Sequence, residues 1–163
     1  MMEIRFAGSA DAEVISKLAN EIWPKTYAGV ISDEQICFML AEIYSIDSIE
    51  RQIKAGHIFM VLETGGVLQG FASISKQSEK VHKLEKLYLH PSIHHRGAGK
   101  LLIGTVEDYC RTQGASELLL NVNRNNKAKF FYDKMGYKVV EKVDITYHQF
   151  VLNDYVMSKD LHF

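Results

Sequence analysis

The segment LYLHPSIHHRGAGK, residues 87–100, leads from an apolar strand through a loop into the first turn of a helix. Gly97 and Gly99 lack a Cβ, so the backbone there can come close to a ligand. The first N–H groups of a helix are unpaired and carry the positive end of the helix dipole, which suits an anion such as a pyrophosphate. Arg96 and Lys100 add positive charge. Taken alone, the segment is equally compatible with a tight turn made for packing.

The spacing of apolar residues outside this segment predicts a mixed α/β chain. Helices are expected over residues 9–23, 32–44, 47–56, 97–113 and 127–135, the first capped by Ser9 and stopped by Pro24. Strands are expected over residues 4–6, 57–63, 67–76, 81–90, 118–122, 137–143 and 145–157. Leu84 and Leu87 are three residues apart, so in a regular strand they would face opposite sides of the sheet. We therefore expect a β-bulge between them, which would let both face the core. Antiparallel hairpins and parallel crossovers then give one twisted, mixed sheet of six to seven strands flanked by helices.

Composition limits the classes of function. The chain has 163 residues, of which 47% are apolar and 24% charged, as expected for one globular domain over residues 1–163. Its formal net charge of −1 argues against a protein that coats nucleic acid. The two cysteines, Cys37 and Cys110, are far apart, so neither a disulfide framework nor a metal site is expected, and a reducing cytoplasm fits. No run approaches the roughly 20 apolar residues of a membrane span, so no membrane association is expected.

A second segment, NVNRNNKAKFFYDKMGY, covers residues 121–137. Together with the first segment, it resembles the GNAT superfamily of acetyl-CoA-dependent N-acyltransferases. The family's pyrophosphate loop, Gln/Arg-x-x-Gly-x-Gly/Ala, matches residues 94–99, with His94 where Gln or Arg is usual. The family's second landmark, an Asn and an Ala before Phe-Tyr-x-x-x-Gly-Phe/Tyr, matches residues 126–137. The order of elements matches as well, so the resemblance covers nearly the whole chain.

The resemblance implies where the cosubstrate acetyl-CoA binds. The strand bearing residues 87–89 would splay from the strand over 118–123, and acetyl-CoA would lie in the gap. Its pantetheine amides would pair with free backbone groups of this strand, and the amides of the following loop would hold its pyrophosphate. Asn126 would bind the cofactor arm from the other wall, although Asn125 can take that role instead. The implied cofactor-binding residues are Leu87, Tyr88, Leu89, His94, His95, Arg96, Gly97, Ala98, Gly99, Lys100 and Asn126.

Acetyl transfer to an amine requires a base and an acid. An alkylamine with a pKa near 10.4 is only about one part in 10³ neutral at pH 7, so its proton must be removed. Glu85, expected two residues before the bulge, is the preferred base, and its alternative role is a solvated charge between neighbouring lysines. His82 and His90 are other candidate bases. Tyr132 matches the family's acid position and would protonate the leaving thiolate, and its alternative role is a core aromatic residue.

The first helices are expected to form part of the acceptor pocket. The stretch from Trp23 to Tyr27 is similar to that of diamine and polyamine acetyltransferases, and Glu21, Glu34 and Glu42 could hold a second ammonium group. We therefore expect direct transfer of an acetyl group from acetyl-CoA to a primary amine. The acceptor would be a small molecule such as a polyamine, or a peptide N-terminus.

Two other functions are compatible with the same residues. One is a catalytically silent acyl-CoA-sensing module of the same fold. The other is a dinucleotide enzyme that uses the Gly-Ala-Gly turn, which needs a ribose-binding acid about 20 residues further on, where Glu117 lies. The oligomeric state is left open, a homodimer included.

Overall fold

The computed structural model describes residues 1–94 and 96–162. A first strand leads into three helices, and then come three strands, a helix, a strand, a short helix and two final strands. The helices are α1 (Ala12–Tyr27), α2 (Asp33–Ile43), α3 (Ile46–Lys54), α4 (Ala98–Thr112) and α5 (Ala128–Lys134). The strands are β1 (Met2–Ala7), β2 (Ile58–Thr64), β3 (Val67–Lys76), β4 (Val81–Leu89), β5 (Glu117–Asn123), β6 (Lys138–Tyr147) and β7 (Phe150–Asp160).

The seven strands form one sheet in the order β1-β2-β3-β4-β5-β7-β6. Strands β4 and β5 pair in parallel, and the other neighbouring strands are antiparallel. The crossover between β4 and β5 contains α4, as a parallel connection requires. The mixed, helix-flanked sheet expected from the sequence is confirmed.

Strands β4 and β5 separate part-way along their length. Val81–Leu84 of β4 pairs with Glu117–Leu120 of β5, and the rest of β4 makes no pairs with β5. The end of β4 stays paired with β3, and the end of β5 stays paired with β7. Each strand therefore keeps one hydrogen-bonded neighbour while a gap opens between the two.

A β-bulge lies at Glu85. Ser73 pairs with Lys86 and Ile74 pairs with Leu84, so Glu85 is the extra residue on β4. The bulge between Leu84 and Leu87 is confirmed, but the expectation that Glu85 lies two residues before it is wrong. The extra residue resets the alternation, which lets Leu84 and Leu87 face the same side of the sheet.

Each face of the sheet has its own apolar core. One face packs against α4, where Leu102, Ile103 and Val106 are fully buried. The other packs against α1, α2 and α3, and its buried residues include Ile15 and Ile22. Among the described residues, no helix is long and apolar enough to cross a membrane.

Helix α1 continues through Pro24 and ends at Tyr27, so the expected stop at Pro24 is wrong. Proline removes one backbone hydrogen bond, but the last turn is held by burial of Trp23 and Tyr27, whose ring centroids are 4.4 Å apart. Ser9 does not cap α1, since it begins a 3-10 turn that precedes the helix. The extra turn matters because it brings Tyr27 over the gap between β4 and β5.

The next two helices begin at serine caps. The Ser32 hydroxyl accepts a hydrogen bond from the Gln35 backbone N–H at 3.1 Å, as expected. The third helix is capped by Ser45, two residues earlier than expected, through a 3.1 Å bond from the Ser48 N–H.

Candidate functional site

A cleft of about 1100 Å³ opens where β4 and β5 separate. One side is formed by the end of β4, the start of α4 and the region around α5, and this side carries the two segments singled out in the sequence. The other side is formed by α1, α2 and the middle of β7. The cleft is large enough for a cofactor arm and a small acceptor to meet inside it.

Most of the expected cofactor-binding residues line this cleft. Ala98 is fully buried behind it and Arg96 is exposed outside its lining, while His95 lies outside the described residues. The expected residues that line the cleft are Leu87, Tyr88, Leu89, His94, Gly97, Gly99, Lys100 and Asn126.

The two glycines at the start of α4 have different structural roles. Gly97 adopts a left-handed conformation, with φ of 77°, and a Cβ there would meet nothing within 4 Å. The turn therefore leaves open space beside backbone N–H groups, which fits a phosphate group of acetyl-CoA. A Cβ on Gly99 would lie 3.1 Å from the Phe131 ring, so a side chain there would require that ring to shift by a few tenths of an ångström.

His94 connects the loop to the end of β4. Its Nε2 donates to the Leu89 carbonyl at 2.9 Å, since a carbonyl oxygen can only accept. The Leu89 carbonyl is thus already bonded, contrary to the expectation that the backbone groups of Leu89 are free. The imidazole that replaces the usual Gln or Arg holds the loop against the strand.

Tyr132 projects from α5 into the cleft. The side chain is 7% exposed, and its ring lies 5.4 Å from that of Phe131 and 5.9 Å from that of Tyr137. Among the described residues, its hydroxyl has no hydrogen-bond partner. Burial raises the pKa of Tyr132, so the hydroxyl keeps its proton at neutral pH.

Both candidate asparagines line the cleft. The Asn126 side-chain oxygen accepts a hydrogen bond from the Ala128 N–H at 2.9 Å, which fixes the turn into α5. Asn125 is exposed and its backbone N–H donates to the Asn123 side chain at 2.8 Å. The geometry is compatible with either residue as the ligand of the cofactor arm.

Glu85 lines the cleft, but it is not a free carboxylate. The Ser75 hydroxyl donates to its Oε2 at 2.6 Å, and the Lys83 Nζ lies 4.0 Å from its Oε1. Its side chain is 25% exposed, so it is not a fully solvated charge either.

Lys86 lies buried next to Glu85 on the same wall. Its Nζ donates to the Gln52 Oε1 at 2.6 Å and lies 5.7 Å from the centroid of the Tyr44 ring. Burial lowers the pKa of Lys86 to about 8, although the charge of Glu85 acts in the opposite direction.

Comparison with known proteins agrees with this geometry. A family model described as "Acetyltransferase (GNAT) domain" matches residues 27–155. The chain is 33% identical over 144 residues to the spermidine N(1)-acetyltransferase of Thermoplasma acidophilum, a match that covers 85% of this chain and 89% of that protein. It also resembles the crystal structure of the PaiA N-acetyltransferase of T. acidophilum in complex with coenzyme A, with a TM-score of 0.87 and 31% identity over 98% and 99% of the two chains.

The chain belongs to the GNAT family of N-acetyltransferases.

The family membership expected from the two sequence segments is thereby confirmed. The fold is also shared with YncA from Salmonella typhimurium, whose structure contains acetyl-CoA, at a TM-score of 0.67 and 21% identity over 100% of this chain and 95% of that one. Acetyl-CoA or coenzyme A is thus bound by structural neighbours of this GNAT acetyltransferase. Among the described residues, no three His, Cys, Asp or Glu side chains are grouped to hold a metal ion.

The two histidines considered as bases lie outside the cleft of this acetyltransferase. His82 is 4% exposed and pairs with Leu118 in the register of β4 and β5, which places it on the α4 face of the sheet. Burial lowers the pKa of His82, so the ring is neutral there. The His90 Nδ1 accepts from the Ser92 N–H at 3.1 Å and caps the turn before α4. Neither ring is placed to receive a proton from an amine in the cleft.

One aromatic side chain of the cleft, that of Tyr88, lies away from the position expected from the sequence. Tyr88, expected to bind the cofactor, turns its ring toward α1, and its hydroxyl bonds to that of Tyr27 at 2.8 Å. Trp23 packs 5.7 Å from the Tyr88 ring. The Tyr88 side chain therefore lies on the α1 side of the cleft, and its backbone alone remains a candidate for cofactor contact.

Asp154 on β7 is absent from the expected site residues, yet it lines the cleft. It pairs with Asn123 of β5, which sets its side chain on the cleft face of the sheet. The acidic residues expected to meet the acceptor, Glu21, Glu34 and Glu42, do not line the cleft, so that expectation is wrong. The only sequence signal for Asp154 is a polar residue on an alternating strand, and the position of that strand follows from the sheet order.

Proposed function

We propose that this GNAT acetyltransferase transfers an acetyl group from acetyl-CoA directly to a primary amine in the cleft between β4 and β5. The observation that carries the proposal is the placement of Tyr132 in the same cleft as two carboxylates, Glu85 and Asp154, beside the left-handed turn at Gly97. Tyr132 as proton donor, Glu85 as proton acceptor and a phosphate-compatible turn in one cleft are what acetyl transfer from a coenzyme A thioester requires.

A small aliphatic amine is the acceptor that the cleft supports best. The side formed by α1, α2 and β7, here called the acceptor side, carries the buried aromatic rings of Trp23 and Tyr27 together with Asp154, and Glu85 faces the same cleft from β4. This combination suits a cation on an apolar stem. The relative from T. acidophilum carries the name spermidine N(1)-acetyltransferase. A peptide N-terminus is the second candidate acceptor, since it is also a primary amine.

In this proposal the start of α4 binds the pyrophosphate through backbone amides around Gly97, and Leu87 pairs with the pantetheine arm. Asn126 or Asn125 binds the arm from the α5 side. Tyr132 donates its proton to the thiolate that leaves when the amine attacks the thioester carbonyl. No acyl-enzyme is formed, because the amine attacks the thioester itself.

Glu85 accepts the proton that the amine loses. Removing that proton is a handicap of roughly 4–5 kcal/mol for an alkylamine at neutral pH. Replacing Glu85 with Gln keeps an acceptor for the Ser75 hydroxyl, and we expect kcat/KM to fall most at neutral pH and to recover in part at alkaline pH. Curves of wild type and variant that are parallel at every pH would assign Glu85 to positioning instead.

The function is tested by measuring free thiol released from acetyl-CoA in the presence of a panel of monoamines, diamines, polyamines, amino acids and peptides. We expect thiol release that depends on the amine and is strongly reduced in Tyr132→Phe. The catalytically silent module predicts a different pattern: acetyl-CoA would raise the melting temperature, and no amine would cause thiol release.

Three further expectations accompany this proposal. The whole of residues 1–163 acts as one domain, the protein works in the cytoplasm, and it works as a monomer or as a homodimer.

A further inference from the structure

Asp154 occupies an unusual position in the cleft wall. It lies on β7 opposite Asn123 of β5, partly buried, and the Asn121 Nδ2 is 3.4 Å from its carboxylate. This long contact is its one hydrogen bond to another side chain among the described residues. Burial raises the pKa of Asp154, because loss of contact with water disfavours the charged carboxylate.

The two carboxylates of the cleft differ in how well they are neutralised. Glu85 has the Lys83 Nζ at 4.0 Å, buried Lys86 beside it and a hydroxyl donor. Within the described chain, no Lys, Arg or His nitrogen lies within 4.0 Å of the Asp154 carboxylate. Lys83 and Arg124 act on Asp154 only at longer range.

Arg124, the nearest arginine along the chain to this site, is engaged elsewhere. Its Nη2 donates to the Asp144 carboxylate at 2.5 Å, and its Nη1 donates to the backbone carbonyls of Val143 and Asp154 at 3.2 and 3.3 Å. The guanidinium therefore secures the β6–β7 backbone and leaves the Asp154 side chain for a group that enters the cleft.

The negative charge of Asp154 influences the Tyr27 hydroxyl on the acceptor side of the cleft. Burial raises the pKa of Tyr27, and the charge of Asp154 adds to that effect. Both side chains line the same cleft. The Tyr27 hydroxyl is in turn bonded to Tyr88. A cation beside Asp154 would thus have a carboxylate, a phenol oxygen and an aromatic wall around it.

We propose that Asp154 binds a second positively charged group of the acceptor, so that the enzyme prefers aliphatic amines with two or more ammonium groups over monoamines and amino acids. This inference rests on the proposed function, because it assumes that the reacting amine lies over the gap between β4 and β5. Asp154 is then a specificity-determining residue, and Glu85 accepts the proton from the reacting nitrogen.

The sheet geometry supports two separate amine positions. Strand β7 lies on the far side of β5 from the gap. Neighbouring strands are about 4.8 Å apart, so Asp154 is displaced from the gap by roughly one to two strand spacings. Two amino groups joined by a short methylene chain span such a distance, whereas the carboxylate of an amino acid would meet the like charge of Asp154.

The test compares matched amines and matched variants. Kinetics with acetyl-CoA are measured for a linear alkyldiamine and for the alkylmonoamine of equal length, in wild type, Asp154→Asn, Asp154→Glu and Asp160→Asn. Asp160 lies on the same strand, is exposed and lies outside the cleft, so its variant controls for the loss of one charge.

We expect Asp154→Asn to raise KM for the diamine by roughly tenfold or more, the size of one hydrogen bond to a charged group. The kcat for the diamine and both constants for the monoamine should change little, and Asp154→Glu should recover part of the diamine preference. Equal losses for both amines, or no change for either, would overturn the proposal.

A binding measurement separates this inference from the proposed function. The diamine and the monoamine are titrated calorimetrically into protein saturated with coenzyme A, which carries no acetyl group to transfer. Tighter binding of the diamine to wild type, lost in Asp154→Asn, supports the inference even if no acetylation is detected. Equal binding of the two amines to wild type overturns it even if both are acetylated.

Discussion

Tyr132 and Lys86 show how burial acts on single titratable residues of the cleft. Both side chains are 7% exposed, and in both burial favours the uncharged form. For Tyr132 the pKa rises and the proton is retained, whereas for Lys86 the pKa falls to about 8 and the ammonium is destabilised. Tyr132 could be predicted from its motif, but the state of Lys86 could not, since it depends on the helices that cover it.

Tyr132→Phe removes the proton donor and keeps the ring. Because the hydroxyl has no partner among the described residues, the fold should be unchanged, and KM for acetyl-CoA should change little. A general acid typically contributes 10²–10⁴-fold, so kcat should fall at least roughly tenfold even if water replaces it in part. Tyr109→Phe is the matched control, since Tyr109 packs on Phe6 away from the cleft. Full activity of Tyr132→Phe would make Tyr132 a packing residue.

Lys86→Met tests the cost of the buried ammonium. Because the pKa of Lys86 is about 8 in the folded protein and 10.5 in the unfolded chain, the unfolded state binds more protons between these values. The free energy of unfolding of wild type therefore rises relative to that of Lys86→Met as the pH increases from about 8 to 10.5. We expect the free energy of unfolding of Lys86→Met minus that of wild type to be about 2–3 kcal/mol smaller at pH 10 than at pH 7.

The measurement is denaturant unfolding of both proteins across that pH range. Lys138→Met, which changes an exposed lysine on β6, serves as the control and should show no such trend. A difference between Lys86→Met and wild type that is constant with pH would mean that Lys86 titrates normally.

The elements were predictable to the extent that each one depends on its own residues. Local periodicity and capping signals place β3, α4 and the Ser32 cap within a residue or two. Pro24 misleads because the local rule for proline is outweighed by tertiary burial of Trp23 and Tyr27. The bulge could be predicted because the leucines of β4 switch from even to odd positions after Leu84. Which residue is the extra one depends on how β4 pairs with β3.

Substitution of Gly97 tests whether the turn that begins α4 binds acetyl-CoA. Gly97→Val places a side chain at positive φ, which costs about 1–2 kcal/mol, and fills the open space beside the amides. We expect both a lower melting temperature and loss of the stabilisation by acetyl-CoA. A ligand at 100 times its Kd contributes about 2.7 kcal/mol, which a melting scan resolves.

Gly114→Val is the matched control for this variant. Gly114 lies at the other end of α4, has a φ of 86° and also has open space beside its missing Cβ. It should lose a similar amount of stability and keep the response to acetyl-CoA. An unchanged response in Gly97→Val would remove the turn from the cofactor site.

At the scale of the whole molecule, the sheet order creates the site. The gap between β4 and β5 leaves backbone groups unpaired, and this is tolerated because β3 and β7 hold the outer edges and two apolar cores cover both faces. The insertion of β7 between β5 and β6 brings Asp154 to the cleft. The family motifs predicted the gap, but no local pattern contains the strand order, so Asp154 could not be found from the sequence.

The most direct measurement of acetyl transfer to an amine is mass spectrometry of the protein and the amine in one reaction with acetyl-CoA. We predict that the amine gains one acetyl group, that the gain requires the enzyme, and that the intact mass of the protein is unchanged when acetyl-CoA is added without amine. An acetylated protein that forms without amine and disappears when amine is added would contradict direct attack. An amine mass that never changes with any member of the panel would contradict the transfer itself.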